Sequence, residues 1–350
     1  VIVMPLIRPL KLAELLDQAV RLYRSNFIKF IAILAIPYIP LVIIQTLMSW
    51  LMTGSMARQM SDPASLFSDP SYWLGISGTF ITSVLTFFLV QGVATAALTR
   101  AVADYYTGRP VGILESYKRL GRNWLRLILA LLLMGLIGFG IFIWLLIPCV
   151  GWLTGPGLLF FVAAVTGPLV APVIVLENHP VAASLRRAWD LARSRFWWMI
   201  GFAFILYLFS QLVITGPTML INFLMQYLAT SSQINLQQQM TWSTVIQTLV
   251  SMFASLLYLP LQLTAMTLVY FDLRVRSEGL DLALQASDSP AANLDLAALP
   301  EISSQSKTAI ITGKEIGYFV LLTVAAGAIY MLIVSVLFGL VMAAMPPGSF

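Results

Sequence analysis

The chain has 350 residues, of which 59% are hydrophobic and 10% are charged, with a mean hydropathy of +0.88. Soluble domains carry about a quarter of their residues as charges, so this chain cannot coat a water-facing surface and is expected in lipid. One Cys and one His exclude an intrachain disulfide, a thiolate metal centre and a multi-histidine zinc or haem site.

Intervals free of Asp, Glu, Lys and Arg map the membrane. They run over 30–57, 70–99, 127–176, 196–271 and 316–350. A spanning helix needs about 20 apolar residues. The third and fourth intervals hold two spans each, turning near Pro148-Cys149-Val150-Gly151 and in the polar run Thr230 to Gln239. Seven spans are therefore predicted near 28–52, 76–103, 124–147, 153–176, 197–227, 243–271 and 316–344. Every basic residue except Arg58 falls on one side of this arrangement, which puts the N-terminus inside and the C-terminus outside. No cleavable signal peptide is expected, because Val1-Ile2-Val3-Met4 is too short an apolar stretch before Arg8. The first span reads as a retained signal-anchor, and the leading Val suits a bacterial start codon. The location expected is a bacterial inner membrane.

Charged residues gather in three similar segments, each ahead of an odd-numbered span: Pro9–Phe27, Pro110–Trp124 and Pro180–Phe196. In the first, Leu12, Leu15, Leu16, Ala19 and Tyr23 share a helical face; in the third, Val181, Leu185, Ala188, Trp189 and Ala192 do. Asp17 with Arg21, Glu115 with Arg119, and Arg186 with Asp190 are spaced for i,i+4 ion pairs. Such helices are predicted to lie in the interfacial plane, with Arg21, Arg24, Lys118, Arg119, Arg122, Arg186, Arg187, Arg193 and Arg195 meeting anionic headgroups. Each even-numbered span ends in an acid, Asp104, Glu177 or Asp272. A negative charge there opposes the helix dipole, so arginine partners are expected, with Arg122, Arg193 and Arg24 as candidates. The fold class is all-α and polytopic: three amphipathic-helix-plus-hairpin units (about 9–104, 110–177 and 180–276) and one appended span. Residues 1–278 form the six-span domain, 279–313 an acidic flexible linker containing Ser287-Asp288-Ser289-Pro290, and 314–350 the last span.

Three stretches carry a family resemblance. Pro9 to Phe27, Val175-Leu176-Glu177-Asn178 with the helix after it, and Tyr270-Phe271-Asp272-Leu273-Arg274-Val275-Arg276-Ser277-Glu278-Gly279 resemble the bacterial glycerophosphoryl diester phosphodiesterase membrane-domain family. The likeness covers roughly 9–284 and implies a six-span membrane domain, from which the seventh span departs. The catalytic domain that gives the family its name needs several histidines and metal-binding carboxylates. With one His and no soluble domain, the resemblance implies the membrane domain alone and no activity.

Chemistry is sparse elsewhere. Asn178-His179-Pro180 beside Glu177 reads first as a helix start, with Asn capping and Pro in the first turn. Spans hold no ionisable group mid-membrane, as coupled transporters usually do. Their neutral polar residues Gln45, Gln91, Gln211, Asn222, Gln247 and Gln262 suit hydrogen bonds between helices. Helix breakers are plentiful: Pro37, Pro40, Gly155-Pro156-Gly157, Gly167-Pro168, Pro172, Gly216-Pro217 and Pro260. Despite a pI near 9.4, the nearest polyanion is lipid and not nucleic acid. The expectation is a non-enzymatic scaffold or accessory subunit of a larger bacterial membrane assembly, with no cofactor or metal. Its partners would be anionic lipids and other membrane proteins. The alternative is a permease or lipid-handling protein using kinked spans four to six.

Overall fold

The computed structural model describes residues 8–58, 68–108, 112–232, 236–282 and 311–344. Most of the acidic linker, Pro110-Val111, residues 233–235 of the polar run, and the C-terminal Pro346 to Phe350 lie outside them. The described residues form an all-α protein with seven helices long and apolar enough to cross a membrane. These are Phe27–Met56, Pro70–Tyr106, Asn123–Leu145, Val150–Glu177, Phe196–Leu228, Trp242–Glu278 and Gly313–Val336. Several exceed the predicted lengths, because the helices run past the apolar intervals into the charged segments.

Three shorter helices precede the odd-numbered spans. The first, Leu12–Ser25, starts at Lys11, whose N–H donates to Glu14 Oε2 at 3.2 Å, and stops at Asn26. Pro9 lies ahead of it and not in its first turn. The second, Ile113–Lys118, is only six residues long and is followed by Gly121 at φ +53°. The third, Val181–Ser194, has Pro180 at its N-cap. Asn178 does not cap that helix. It sits at φ +60° and ends the fourth span, a left-handed position that Asn tolerates better than other residues with a side chain.

Two of the three apolar stripes pack on protein. Leu15, Ala19 and Tyr23 of the first helix are buried, and the Tyr23 hydroxyl donates to the Leu257 carbonyl at 2.9 Å. At the other end, Leu10 meets Asp272. The first helix thus runs antiparallel along the sixth span. In the third helix Ser184, Arg187, Ala188, Trp189, Leu191 and Ala192 are buried against protein. An apolar stripe needs an apolar neighbour, and here the neighbour is helix. Complete burial of Leu15 contributes roughly 2 kcal/mol.

Four stretches within the spans are π-helical: Phe87–Ala94, Phe161–Thr166, Val173–Glu177 and Gln211–Thr215. Two end two residues before a proline, Pro168 and Pro217. A proline ring clashes with the carbonyl four residues back, and a widened turn relieves that clash without ending the helix.

By backbone contacts the chain divides into two compact units, 1–131 with 168–300, and 132–167 with 301–350. In the first unit the core is built from the later halves of even-numbered spans. Ala94 to Ala103, Leu169 to Leu176 and Ala265 to Leu273 are buried, together with Phe30, Ile33 and Leu34. The earlier halves expose apolar side chains such as Trp73, Phe80 and Phe253. In the second unit the fourth and seventh spans touch backbone to backbone. A Cβ on Gly157 would lie 2.2 Å from the Phe319 carbonyl oxygen. The Gly157 N–H donates to Thr323 Oγ1 at 2.9 Å, and the rings of Phe161 and Phe319 are 5.8 Å apart. The third and fourth spans turn at Cys149, which is exposed and at φ +63°.

Candidate functional site

The acids that close the even-numbered spans converge on the ends of the first unit's core. Each has a guanidinium within 4 Å, from Arg100, Arg187 and Arg276 and not from the candidates Arg122, Arg193 and Arg24.

Glu177 is the hub. The π-helical turn Val173–Glu177 and the left-handed Asn178 after it turn its carboxylate inward. Arg187 Nε donates to Glu177 Oε2 at 3.1 Å, and the Tyr270 hydroxyl donates to Oε1 at 2.7 Å. Arg274 Nη1 lies 3.7 Å from Oε1 and donates to the Tyr270 oxygen at 3.2 Å. A second acid balances the second arginine: Arg274 Nε donates to Glu278 Oε2 at 2.9 Å, and Arg187 pairs with Glu278 as well. Two carboxylates and two guanidiniums therefore close a neutral quartet around one tyrosine. His179 Nε2 stands at its rim, 3.3 Å from Glu177 Oε2. Burial pushes the Arg187 guanidinium down, yet Glu177 and Glu278 more than offset this and hold it above its ordinary value.

Asp272 forms a second centre. It accepts the Leu10 N–H at 2.7 Å and both oxygens accept from Arg276 Nε, at 2.9 and 3.1 Å. Arg276 Nη2 donates to the Leu10 carbonyl at 2.8 Å, so the pair grips both backbone groups of one residue. Arg195 approaches to 3.7 Å and stacks on Trp198, 4.9 Å from the ring centroid. Asp104 forms a third centre with Arg100 at 3.4 Å and Arg119 at 3.8 Å.

The remaining sequence-predicted residues separate into paired and open groups. Arg21 pairs with Asp17, Arg119 also with Glu115, and Arg186 and Arg193 both with Asp190. Arg187 is buried in the quartet. Arg24, Lys118 and Arg122 are exposed. Arg126, not among the predicted contacts, donates to the Asn178 carbonyl at 2.9 Å and so holds the bend behind Glu177. Sequence reasoning missed Tyr270, Arg274 and Glu278. Their spacing of four residues, on a helix otherwise buried and apolar, is the signal that marks one polar face.

Among the described residues no group of three or more His, Cys, Asp or Glu is placed to hold a metal ion. The chemistry this arrangement performs is cohesive: charge-assisted hydrogen bonds that lock the fourth span, the third short helix and the sixth span in one register. No family model, no characterised protein and no solved structure matches the chain.

Proposed function

We propose that this multi-pass protein is a non-enzymatic scaffold or accessory subunit of a larger assembly in a bacterial inner membrane. On this reading it is akin to the stand-alone membrane domains that its three motifs resemble. The observation that supports it best is the closed quartet around Glu177. Buried charges that face one another instead of a cavity hold helices in place, which is what a platform for other membrane proteins needs. The third, fifth and seventh spans each leave large apolar side chains exposed, such as Leu136, Phe223 and Leu321.

Photo-crosslinking tests the reading. A benzophenone side chain placed at position 136, 223 or 321 in living cells should yield an adduct of one defined protein mass at one position or more. Lipid adducts alone at all three would overturn it.

The orientation belongs to the same proposal and has its own test. Cys149 is the one cysteine, it is exposed, and it lies between the third and fourth spans. With the N-terminus inside, that turn faces outward. A membrane-impermeant maleimide should label Cys149 in intact cells, and labelling only after lysis would reverse the topology.

One observation favours a second reading as a permease or lipid-handling protein. π-Helical turns recur at functional sites, and they interrupt the second, fourth and fifth spans here. Movement of a fluorescent phospholipid or a solute across proteoliposomes of the purified chain would support that reading over the first.

A further inference from the structure

Most basic side chains of the first unit have a carboxylate partner, which makes those that do not informative. Lys11, Arg24 and Arg126 have no ion pair with a carboxylate among the described residues, and neither do Lys29, Lys118 and Arg122, which are exposed and lie near one another. Three contacts bring their segments to one place. Lys29 Nζ donates to the Tyr105 hydroxyl at 2.7 Å and stands 5.2 Å from that ring's centroid. The Tyr117 hydroxyl, next in chain to Lys118, donates to the carbonyl of Ile33, one helical turn beyond Lys29. Arg119 reaches Asp104, the neighbour of Tyr105. The start of the first span, the end of the second and the short helix that leads into the third therefore share one rim. Leu120 is buried beneath it, and Gly121 at φ +53° turns the chain so that Arg122 stays on the surface.

The same rim exposes apolar side chains at a membrane border: Ile28 at 79%, Leu114 at 66%, Leu125 at 45% and Trp124 at 38%. Cations beside exposed apolar groups fit a ligand that is anionic at one end and apolar at the other. A soluble phosphate would leave the apolar half uncovered, and a zwitterionic lipid would bring no net charge. We infer that this rim is a seat for an anionic phospholipid, with its phosphate on Lys29, Lys118 and Arg122 and its acyl chains against the exposed apolar residues. Arg122 supplies the planar fork that suits two phosphate oxygens, and the lysines supply point charges. The inference stands whether the protein is a scaffold or a carrier.

Native mass spectrometry of the detergent-solubilised full chain, titrated with phosphatidylglycerol or phosphatidylcholine, reads the site directly. The chain should retain phosphatidylglycerol in preference to phosphatidylcholine. Lys118→Gln with Arg122→Gln should weaken that retention on the order of thirtyfold, at about 1 kcal/mol per charge near the surface. Both side chains are exposed and without a carboxylate, so the double variant should melt as the parent does. Arg21→Gln, which removes an equally exposed charge elsewhere, should retain the lipid. Equal retention by the double variant, an equal loss in Arg21→Gln, or displacement of the lipid by millimolar inorganic phosphate would each overturn the site.

Discussion

Replacing Glu177 with Gln should lower the stability of the detergent-solubilised protein by about 3–5 kcal/mol, the usual range when one member of a buried ion pair is removed. The side chain is 3% exposed, and its loss leaves Arg187 and Arg274 facing Glu278 alone. Gln keeps the shape and can still accept from Tyr270, so the deficit reports charge and not volume. Adding Arg187→Met should restore part of the stability, because it removes the cation that Glu177 had balanced. Thermal unfolding of the parent, the single variant and the double variant measures this. A single variant within about 0.5 kcal/mol of the parent, the range of ordinary surface changes, would mean that the quartet contributes nothing net.

Gly157→Val should separate the fourth and seventh spans. A Cβ there would sit 2.2 Å from the Phe319 carbonyl oxygen, and the nearby atoms are backbone, so no side chain can swing away. Overpacking costs about 1–3 kcal/mol, and a clash with backbone falls at the upper end of that range. The shift would also stretch the hydrogen bond from Gly157 to Thr323 Oγ1. In a Cys149→Ser background, cysteines at 161 and 319 should be joined by a short bismaleimide in the parent and not in the Gly157→Val chain. Cross-linking at parental yield in both would show that the two helices tolerate a side chain between them.

The spans were legible because apolarity is a local property: one charge-free interval, one or two helices. The three closing acids were legible for the same reason: Glu177 and Asp272 are each the first charge after an apolar run, and Asp104 follows only Arg100. Their partners were not. Arg193 was one of three candidate partners with no acid assigned to it, and it pairs with Asp190, three residues back on the same helix. Arg187 reaches Glu177 because Val173–Glu177 is π-helical, and a wider turn changes which way every later side chain points. Nor does a 3.6-residue count survive such a turn, so periodicity read through the fourth span loses its phase. Of the face read as Leu12, Leu15, Leu16, Ala19 and Tyr23, three side chains, Leu15, Ala19 and Tyr23, are buried, and a pattern states that a face is apolar and not what covers it. Tyr270, Arg274 and Glu278 sit where an apolar helix turns polar, and composition averages them away.

The helix Leu236–Glu278 is unbroken for 43 residues despite Pro260. At 1.5 Å per residue it is roughly 64 Å long, about twice the thickness of a hydrocarbon core. One stiff rod thus carries both Asn222's partner Gln247 near its start and the arginines and acids at its end. Such a rod cannot turn at one end and stay still at the other. A twist of the charged end, where Asp272 grips Leu10 and Arg274 meets Glu177, is passed along one continuous helix toward Gln247, so this helix has the mechanics of an axle.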